Sequence, residues 1–380
     1  MYCSNKLIIA SAGSGKTEHI VTESKSTKNK VLLLTYTLSN EDEIKKRFFY
    51  KYGCIPSNIT IQTWFSFLIQ HWVKPYQGSM HDELFVKNIR GMLFTNQQSA
   101  IRYQGRKGPV YWKEEETFKH YFTSDMRLFS DKVAKFAVKC NQKSSNATIN
   151  RLSKLYDNIF IDEVQDLAGW DLEVLKILFS SNIKVLLVGD PRQVTYLTHV
   201  DRKYRKYNYG KIKDFVENEL SSSITCELDE ESLINSHRCV EQICSFSSKL
   251  YPDLQTTCSC SNYQETEHIG LFFVNQNDIQ YYLDKYQPIQ LRWNRNTCCC
   301  ELSAIYNFGE SKGHTFNRVL IYPTSKMIEW IENNSTSLKE ETRAKFYVAI
   351  TRARYSVAFV LPDSKEINTD SIELWKANKE

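Results

Sequence analysis

The run Leu7–Thr17 constrains the fold of this chain more than any other stretch. It reads Leu-Ile-Ile-Ala-Ser-Ala-Gly-Ser-Gly-Lys-Thr, in which four apolar residues predict a buried strand and the rest predicts a phosphate-binding loop that opens a helix. Gly13 and Gly15 carry no Cβ, so successive backbone N–H groups can converge on phosphate oxygens. Lys16 is expected to reach the β- and γ-phosphates, and the hydroxyl of Thr17 to ligate Mg²⁺. The alternative is an ordinary strand–turn–helix.

A second apolar strand, Ile159–Ile161, is followed by two adjacent carboxylates, Asp162 and Glu163. Neighbouring acids in an apolar setting repel each other unless a cation compensates them. Mg²⁺ carried by a nucleotide is the natural cation, with Asp162 on the metal side and Glu163 free to activate water. An acidic strand end without a catalytic role is the alternative.

Three more apolar strands, at 30–37, at 59–61 and at 185–188, also deliver polar side chains at their carboxyl ends. Ligands of parallel sheets gather beyond these ends. Gln193, which follows the last of these strands, can donate and accept hydrogen bonds and is expected to sense a γ-phosphate or a water beside it. After the first of them, Asn40 is the predicted cap of a helix with acids in its first turn.

Aromatic and basic residues are interleaved in two places, residues 74–156 and residues 201–214. The first is predicted to be a mostly helical insertion, and the second contains six basic residues and three tyrosines. Such mixtures suit single-stranded nucleic acid, because bases stack on rings and cations pair with phosphates. Solvated, charged surface is the alternative for both.

Length and charge limit the class of protein. At 380 residues and 24% charged residues, the chain has room for two α/β domains. The net charge of +5 is a weak argument for nucleic acid, so local clusters must provide it. The start does not resemble a signal peptide, and apolar runs are too short to span a bilayer. A cytoplasmic protein without a membrane partner is expected.

Eleven cysteines in such a compartment should be reduced. Two clusters raise the question of a metal: Cys258 with Cys260 and the nearby His268, and the run 298–300. Neither has the paired spacing of a zinc ribbon. Loop thiols without a special role are favoured over a structural zinc.

The second half, after a boundary near 221–225, reads as another α/β unit with strands near 270–274, 288–292, 318–322 and 357–361. It carries Arg238 in Ser-His-Arg and Arg352 in Ile-Thr-Arg-Ala. An arginine supplied to a γ-phosphate from a facing domain raises the hydrolysis rate by about 10³–10⁵.

Seven motifs in order carry a resemblance: Ala-Ser-Ala-Gly-Ser-Gly-Lys-Thr, Leu-Thr-Tyr-Thr, Ile-Asp-Glu-Val-Gln-Asp, Val-Gly-Asp-Pro-Arg-Gln, Ser-His-Arg, Ser-Lys-Gly-His-Thr-Phe and Tyr-Val-Ala-Ile-Thr-Arg-Ala. From residue 7 to about 361 the chain resembles the UvrD/Rep-like helicases of superfamily 1. The resemblance implies two RecA-like P-loop domains with parallel sheets, 1–220 and 221–380. The helical insertion at about 74–156 would belong to the first domain, and ATP would bind at the interface of the two.

The resemblance also implies roles for individual residues. The nucleotide would contact Ala12, Gly13, Ser14, Gly15, Lys16, Thr17, His237 and Gly313, the last of which lies in the motif that couples nucleotide to strand. Thr17 and Asp162 would hold Mg²⁺, Glu163 would be the general base, and Gln193 would sense the γ-phosphate. Arg238 and Arg352 would be arginine fingers. Tyr36, Thr63, Trp64 and Tyr196 would contact single-stranded nucleic acid.

Three departures from this family affect the expected specificity. Only six residues precede Leu7, so the family's glutamine-bearing segment that reads adenine is expected to be missing. His237 replaces a stacking aromatic, and Thr315 stands where a glutamate often meets the ribose, so a relaxed nucleotide preference is predicted. Arg292 and Lys312 are 20 positions apart, so the accessory domain of larger relatives is expected to be absent.

The predicted function is an ATP-dependent translocase or helicase on single strands, with DNA favoured over RNA and 3′ to 5′ polarity implied by the resemblance. The alternative is a nucleotide-gated, DNA-binding ATPase that regulates or loads a partner such as a nuclease in phage defence, with little unwinding. A phosphate-loop kinase is disfavoured because the second half supplies two arginine motifs and no lid for a substrate.

Overall fold

The chain forms two compact units in the computed structural model, which describes residues 5–95, 97–198, 202–261, 267–300, 303–363, 367 and 371–377. The first unit consists of Met1–Ile8, Thr17–Gly189 and Leu197–Asp229, and the second of Ile9–Lys16, Asp190–Tyr196 and Glu230–Glu380. The phosphate loop and the segment around Gln193 therefore belong with the second unit, although they lie early in the sequence.

A six-stranded sheet forms the centre of the first unit. Its strands are β1 (Asn5–Ile9), β2 (Val31–Thr35), β3 (Ile59–Thr63), β8 (Asn158–Ile161), β9 (Lys184–Gly189) and β10 (Cys226–Asp229), in the order β10-β1-β9-β8-β2-β3. The pairings of β1 with β10, β2 with β3, β2 with β8 and β8 with β9 are parallel. All five residues of β2 are buried, as expected of a central strand covered on both faces.

Helices connect and cover these strands. They are α1 (Lys16–Ser26), α2 (Leu38–Tyr52), α3 (Trp64–Phe67), α4 (Thr117–Tyr121), α5 (Val133–Lys143), α6 (Ala147–Leu155), α7 (Trp170–Phe179) and α8 (Ile212–Glu219). A π-helical stretch, Leu68–Val73, continues α3.

The region predicted as a helical insertion contains α4, α5 and α6, and it also contains strands that the sequence did not predict. The strands β4 (Gly91–Leu93) and β7 (Arg127–Phe129) pair in parallel, whereas β5 (Ile101–Gly105) and β6 (Gly108–Tyr111) form an antiparallel hairpin.

The second unit has its own six-stranded parallel sheet. Its strands are β11 (Gly270–Asn275), β12 (Ile289–Arg292), β13 (Ile305–Asn307), β14 (Phe316–Tyr322), β15 (Ala353–Leu361) and β16 (Glu373–Trp375), in the order β13-β12-β14-β15-β11-β16. The helices are α9 (Glu241–Ser248), α10 (Ile279–Tyr286), α11 (Ser325–Glu332) and α12 (Glu340–Ile350). Apolar clusters lie on both faces of this sheet, and Ala12 of the phosphate loop joins the larger one.

The fold confirms the predicted two sets of parallel strands, with several differences of detail, among them the strands β13 and β16, which were not predicted. Helix α2 begins at Leu38 and is capped by Thr37, whose hydroxyl accepts the Asn40 N–H at 3.1 Å, so the predicted cap at Asn40 was wrong. Strand β10 was not predicted, and the first unit extends past 220 to Asp229. Among the described residues, the helices are all too short or too polar to cross a membrane.

Candidate functional site

The phosphate loop connects β1 to α1 through two glycines in the left-handed region. Gly13 has φ of +76° and Gly15 has φ of +86°, and residues that carry a side chain rarely adopt such backbone angles. The Ser14 hydroxyl donates to the carbonyl of Ser11 at 2.9 Å and closes the turn. Helix α1 begins at Lys16, so its positive end faces any anion held by the loop.

In the first unit, Thr17 and Asp162 form an oxygen pair that suits a hard cation. The Thr17 hydroxyl donates to Asp162 Oδ2 at 3.2 Å, and Asp162 is 4% exposed. The other oxygen, Oδ1, accepts the N–H of Glu163 at 2.9 Å. Hydroxyl and carboxylate oxygens are the ligands that Mg²⁺ prefers, so these two residues fit the predicted metal role.

At Glu163 the backbone turns away from the direction of strand β8. Its φ of 56° and ψ of 39° are left-handed, a conformation that costs about 1 kcal/mol or more in a residue with a side chain. The amide of Gln165 donates to its carboxylate. The left-handed backbone therefore points the Glu163 side chain in a different direction from that of Asp162. The Gln165 amide holds the Glu163 carboxylate in place.

In the second unit, Gln193 and Arg352 are in contact. A guanidinium N–H of Arg352 donates to Gln193 Oε1 at 3.2 Å, while the Gln193 amide donates to Asp190 Oδ2 at 2.7 Å. Arg352 is 1% exposed, and it also donates to the carbonyls of His314 and Val348. The predicted phosphate sensor and one predicted arginine finger are thus held together.

Arg238 lies against the phosphate loop. A Cβ added at Gly13 would be 2.6 Å from Arg238 Cβ and 2.7 Å from the Ser236 hydroxyl, so only glycine fits there. The N–H of His237 donates to the Gly13 carbonyl at 2.9 Å, and the Arg238 guanidinium donates to the Thr351 carbonyl at 3.2 Å. The phosphate loop, His237 and Arg238 were predicted to share one site. The contacts with Gly13 place both His237 and Arg238 at the loop.

Sequence reasoning missed the residues that hold the loop from beneath. The guanidinium of Arg192, 2% exposed, donates to the Ala10 carbonyl at 3.4 Å, the Ser11 hydroxyl at 3.2 Å and Asp190 at 3.4 Å. The Tyr347 hydroxyl accepts the Ala12 N–H at 3.4 Å. A basic residue directly before the predicted sensor was the one available signal.

The predicted nucleic-acid residues of the first unit have different surroundings. Thr63 caps α3 by accepting the Ser66 N–H at 3.3 Å. Trp64 is 1% exposed and donates to Asp171 at 2.7 Å, so its ring is packed in the core and is not available for stacking in this conformation. Tyr36 is half-buried, and burial raises the pKa of its hydroxyl above the ordinary value.

Beside Tyr36 lies an aromatic row that the sequence did not reveal. The rings of Tyr36 and Phe65 are 5.5 Å apart and those of Phe65 and Phe94 5.9 Å apart. Phe94 is 72% exposed, so the row ends in an open ring.

Two predicted residues of the second unit lie at its surface. The Tyr196 ring is 38% exposed, and the Lys312 ammonium is 5.2 Å from its centre. Gly313 has φ of +90°, and a Cβ built there would meet nothing within 4 Å. The conformation rather than the space therefore favours glycine.

Two tyrosines of the basic segment 201–214 have structural partners. The hydroxyls of Tyr204 and Tyr207 donate to Glu173 and Glu219, and Tyr207 is buried. Residue 201 lies outside the described residues, and Lys203 pairs with Glu173 at 3.0 Å. In the described part of this segment these rings pack, so their stacking on bases is not supported.

The cysteine clusters have no described metal set. Across the ranges that the structure describes, no group of three or more His, Cys, Asp or Glu side chains could hold an ion. The cysteines at 258, 260 and 298–300 are free.

Comparison with known proteins decides the family. Residues 2–199 match the AAA domain family, and residues 123–361 match the viral superfamily 1 RNA helicase core domain. The chain belongs to the superfamily 1 helicases. This confirms the resemblance on which the site residues were predicted.

Individual relatives of this helicase family cover the chain unequally. The RecB subunit of the RecBCD enzyme from Borreliella burgdorferi is 33% identical over 82 residues, which is 22% of this chain and 7% of RecB. The arterivirus nonstructural protein 10 helicase, alone and in complex with DNA, is 13% identical with a TM-score of 0.46. The match to the structure without DNA covers 95% of this chain and 60% of the arterivirus chain. The match to the complex with DNA covers 94% of this chain and 61% of the arterivirus chain.

The PRRSV helicase is 14% identical with a TM-score of 0.41. Here 96% of this chain and 55% of the viral protein are covered. The chain thus spans less than two thirds of the length of each of these relatives.

Proposed function

We propose that the protein is an ATP hydrolase that moves along single-stranded nucleic acid, with DNA favoured as the strand. The observation that carries the proposal is the pairing of the Thr17 hydroxyl with Asp162 Oδ2 at 3.2 Å directly after the phosphate loop. Lys16, which we propose binds the phosphates, directly precedes Thr17 in the sequence.

The proposed reaction is attack of water on the γ-phosphate. Bound Mg²⁺, held by Thr17 and Asp162, would neutralise charge on the β- and γ-phosphates. Glu163 accepts the proton of the attacking water, and Lys16 binds the phosphate chain. Charge that develops on the phosphate oxygens is stabilised by arginine, which is worth about 10³–10⁵ in rate.

Arg238 and Arg352 are the proposed source of that charge stabilisation. Arg352 is held by Gln193 Oε1, and Arg238 is held by its contacts with the loop at Gly13 and with Thr351. The Gln193 amide also donates to Asp190. A phosphate that moves the Gln193 side chain would change both this hydrogen bond and the one from Arg352. Nucleotide state would thereby alter the second unit.

The aromatic row at Tyr36 and Phe94 is the proposed stacking surface for the strand. Stacking of a base on an aromatic ring is worth about 1–3 kcal/mol. We therefore expect Phe94→Ala to raise the single-strand concentration for half-maximal ATPase stimulation by about 5- to 150-fold. Phe85→Ala, at a ring that is 75% exposed, is the matched control and should leave that concentration unchanged.

An ATPase assay with single-stranded DNA, duplex DNA and RNA tests the proposal. We expect the largest stimulation with single-stranded DNA, and strand displacement from a 3′ overhang. Absence of stimulation by every nucleic acid would refute the translocase function, and stimulation by RNA alone would refute the choice of DNA.

The nucleotide preference is proposed to be relaxed, because His237 rather than a larger aromatic ring lies near the loop. A Cβ at Gly15 would be 4.0 Å from His237 Cδ2. We expect GTP to be hydrolysed within about tenfold of the ATP rate, which corresponds to about 1.4 kcal/mol. Strict ATP selectivity would contradict this.

A second candidate function is a nucleotide-gated ATPase that serves a partner such as a nuclease. The observation that favours it is the 33% identity over 82 residues to RecB, a protein named as a subunit of a larger enzyme. Co-purification of a partner, together with ATPase activity but no strand displacement, would favour this candidate over the motor.

A further inference from the structure

An exposed thiol and an exposed imidazole are in contact beside the phosphate loop. Cys260 Sγ is 3.1 Å from His237 Nδ1, and both residues are exposed. When Nδ1 carries no proton, the thiol donates to it. The imidazole can then take the thiol proton and leave a thiolate, which is the reactive form of cysteine.

The position of this pair relative to the loop is fixed by main-chain hydrogen bonds. The Cys260 N–H donates to the Ser236 carbonyl at 2.9 Å, and the Ser236 N–H donates to the Cys258 carbonyl at 2.8 Å. The next residue, His237, donates its N–H to the Gly13 carbonyl at 2.9 Å. Two main-chain hydrogen bonds, from Cys260 to Ser236 and from His237 to Gly13, therefore connect the segment that carries the thiol to the phosphate loop.

The His237 ring is also within van der Waals distance of the loop. A Cβ built at Gly15 would lie 4.0 Å from His237 Cδ2. A substituent of several atoms on Cys260 would have to share the space over this ring. That space is where a nucleotide held by the loop would place its base or sugar, if the proposed function is right.

We propose that Cys260 is a site of thiol modification that blocks nucleotide binding, with His237 as its proton acceptor. The co-reactant is a low-molecular-weight disulfide such as oxidised glutathione. The Cys260 thiolate attacks one sulfur of the disulfide, its S–S bond breaks, and a mixed disulfide forms. The leaving thiolate takes the proton that the His237 imidazole received, so that one thiol is consumed and one is released.

This inference rests on the proposed function only for its effect on ATP, and its chemistry can be measured without ATPase activity. The first measurement is the modification rate of each cysteine of the full chain by oxidised glutathione, resolved by peptide mass spectrometry. Cys260 should react about tenfold faster than Cys258, which is also exposed. His237→Ala should remove most of that advantage. Equal rates at the two cysteines would overturn the proposal.

The second measurement is binding of a fluorescent ATP analogue before and after modification. Modified protein should bind at least about tenfold more weakly, and dithiothreitol should restore binding. Cys260→Ser should resist the treatment and keep its affinity, whereas the matched control Cys258→Ser should remain sensitive. Unchanged binding by protein that is fully modified at Cys260 would overturn the gating role. If unmodified protein binds the analogue but does not hydrolyse ATP, the proposed function fails and this inference is still tested.

Discussion

Replacing Arg192 by methionine should destabilise the second unit and loosen the phosphate loop. The guanidinium is buried with Asp190, which is 0% exposed, and it also donates to Ala10, Ser11 and, at 2.7 Å, the Gln255 carbonyl. Burial lowers the pKa of Arg192, but the neighbouring Tyr347 and Asp190 more than offset this and raise it, so the group is charged.

The size of the effect follows from what the change leaves behind. Breaking one side of a buried ion pair costs about 3–5 kcal/mol. Asp190 keeps two donors, the residue-192 N–H at 3.1 Å and the Gln193 amide at 2.7 Å, so we expect the lower end of that range. A loss of about 3 kcal/mol lowers the melting temperature of a unit of this size by about 6–12 °C.

Guanidinium chloride unfolding, followed by tryptophan fluorescence, measures this loss. Arg151→Met, at an exposed position of α6, is the matched control and should change the free energy of unfolding by less than about 0.5 kcal/mol. The double variant with Asp190→Asn should recover part of the loss, because it also removes the buried negative charge beside the lost guanidinium. In the ATPase assay, Arg192→Met should raise KM more than it lowers kcat.

A loss below about 1 kcal/mol, or no coupling between Arg192 and Asp190 in the double-variant cycle, would refute this reasoning. The buried pair would then not hold the loop.

Three further predictions concern the loop, the general base and pH. Glu163→Gln should keep nucleotide binding and lower kcat by about 10²–10⁴, whereas Lys16→Ala should lose both; wild-type turnover of the first variant would contradict the assignment. Gly13→Ala should weaken nucleotide binding at least tenfold and cost about 1–3 kcal/mol of stability, because its Cβ would meet Arg238 at 2.6 Å and its φ is +76°. Gly309→Ala, where a Cβ would meet nothing within 4 Å, is the control, and equal effects would contradict the argument. Burial, followed by the charges of Arg318 and Lys285, lowers the pKa of His268 to about 4 from 6.5. Between these values only the unfolded chain binds the proton, so stability should fall by about 1–2 kcal/mol as pH drops from 6.5 to 4. His268→Gln should flatten this slope in thermal melts, and an unchanged slope would contradict it.

Continuous apolar runs made the central strands predictable. β2 and β9 read as unbroken hydrophobic segments because both faces of a parallel sheet are covered. β10 was missed because Cys226–Asp229 alternates acidic residues with less polar ones and forms the edge of its sheet. Its place depends on the partner β1, which the local sequence does not show.

The sequence predicts chemical roles for the loop residues because phosphate binding needs particular residue types at fixed spacing. Burial was not predictable in the same way. Trp64 was predicted to contact nucleic acid, yet its indole lies in the core and donates to Asp171. Arg192 was passed over because its partners, from Ala10 to Gln255, are distant in sequence.

The cap of α2 illustrates a smaller limit. Thr37, Ser39 and Asn40 are all residue types that cap helices well. Sequence alone does not determine which of them turns the chain. The structure shows that the hydroxyl three residues before Asn40 is the acceptor.

The route of the backbone between the two units has a practical consequence for dividing this protein into fragments. The chain changes unit at Ile8/Ile9, Lys16/Thr17, Gly189/Asp190, Tyr196/Leu197 and Asp229/Glu230. A fragment ending at Asp229 would carry Ile9–Lys16 without the residues that Ala12 and Gly13 pack against, and a fragment starting at Glu230 would lack both inserted segments. No single cut of the chain yields two fragments that each contain one whole unit. To separate the units, Ile9–Lys16 and Asp190–Tyr196 would have to be moved into the fragment that carries the rest of the second unit.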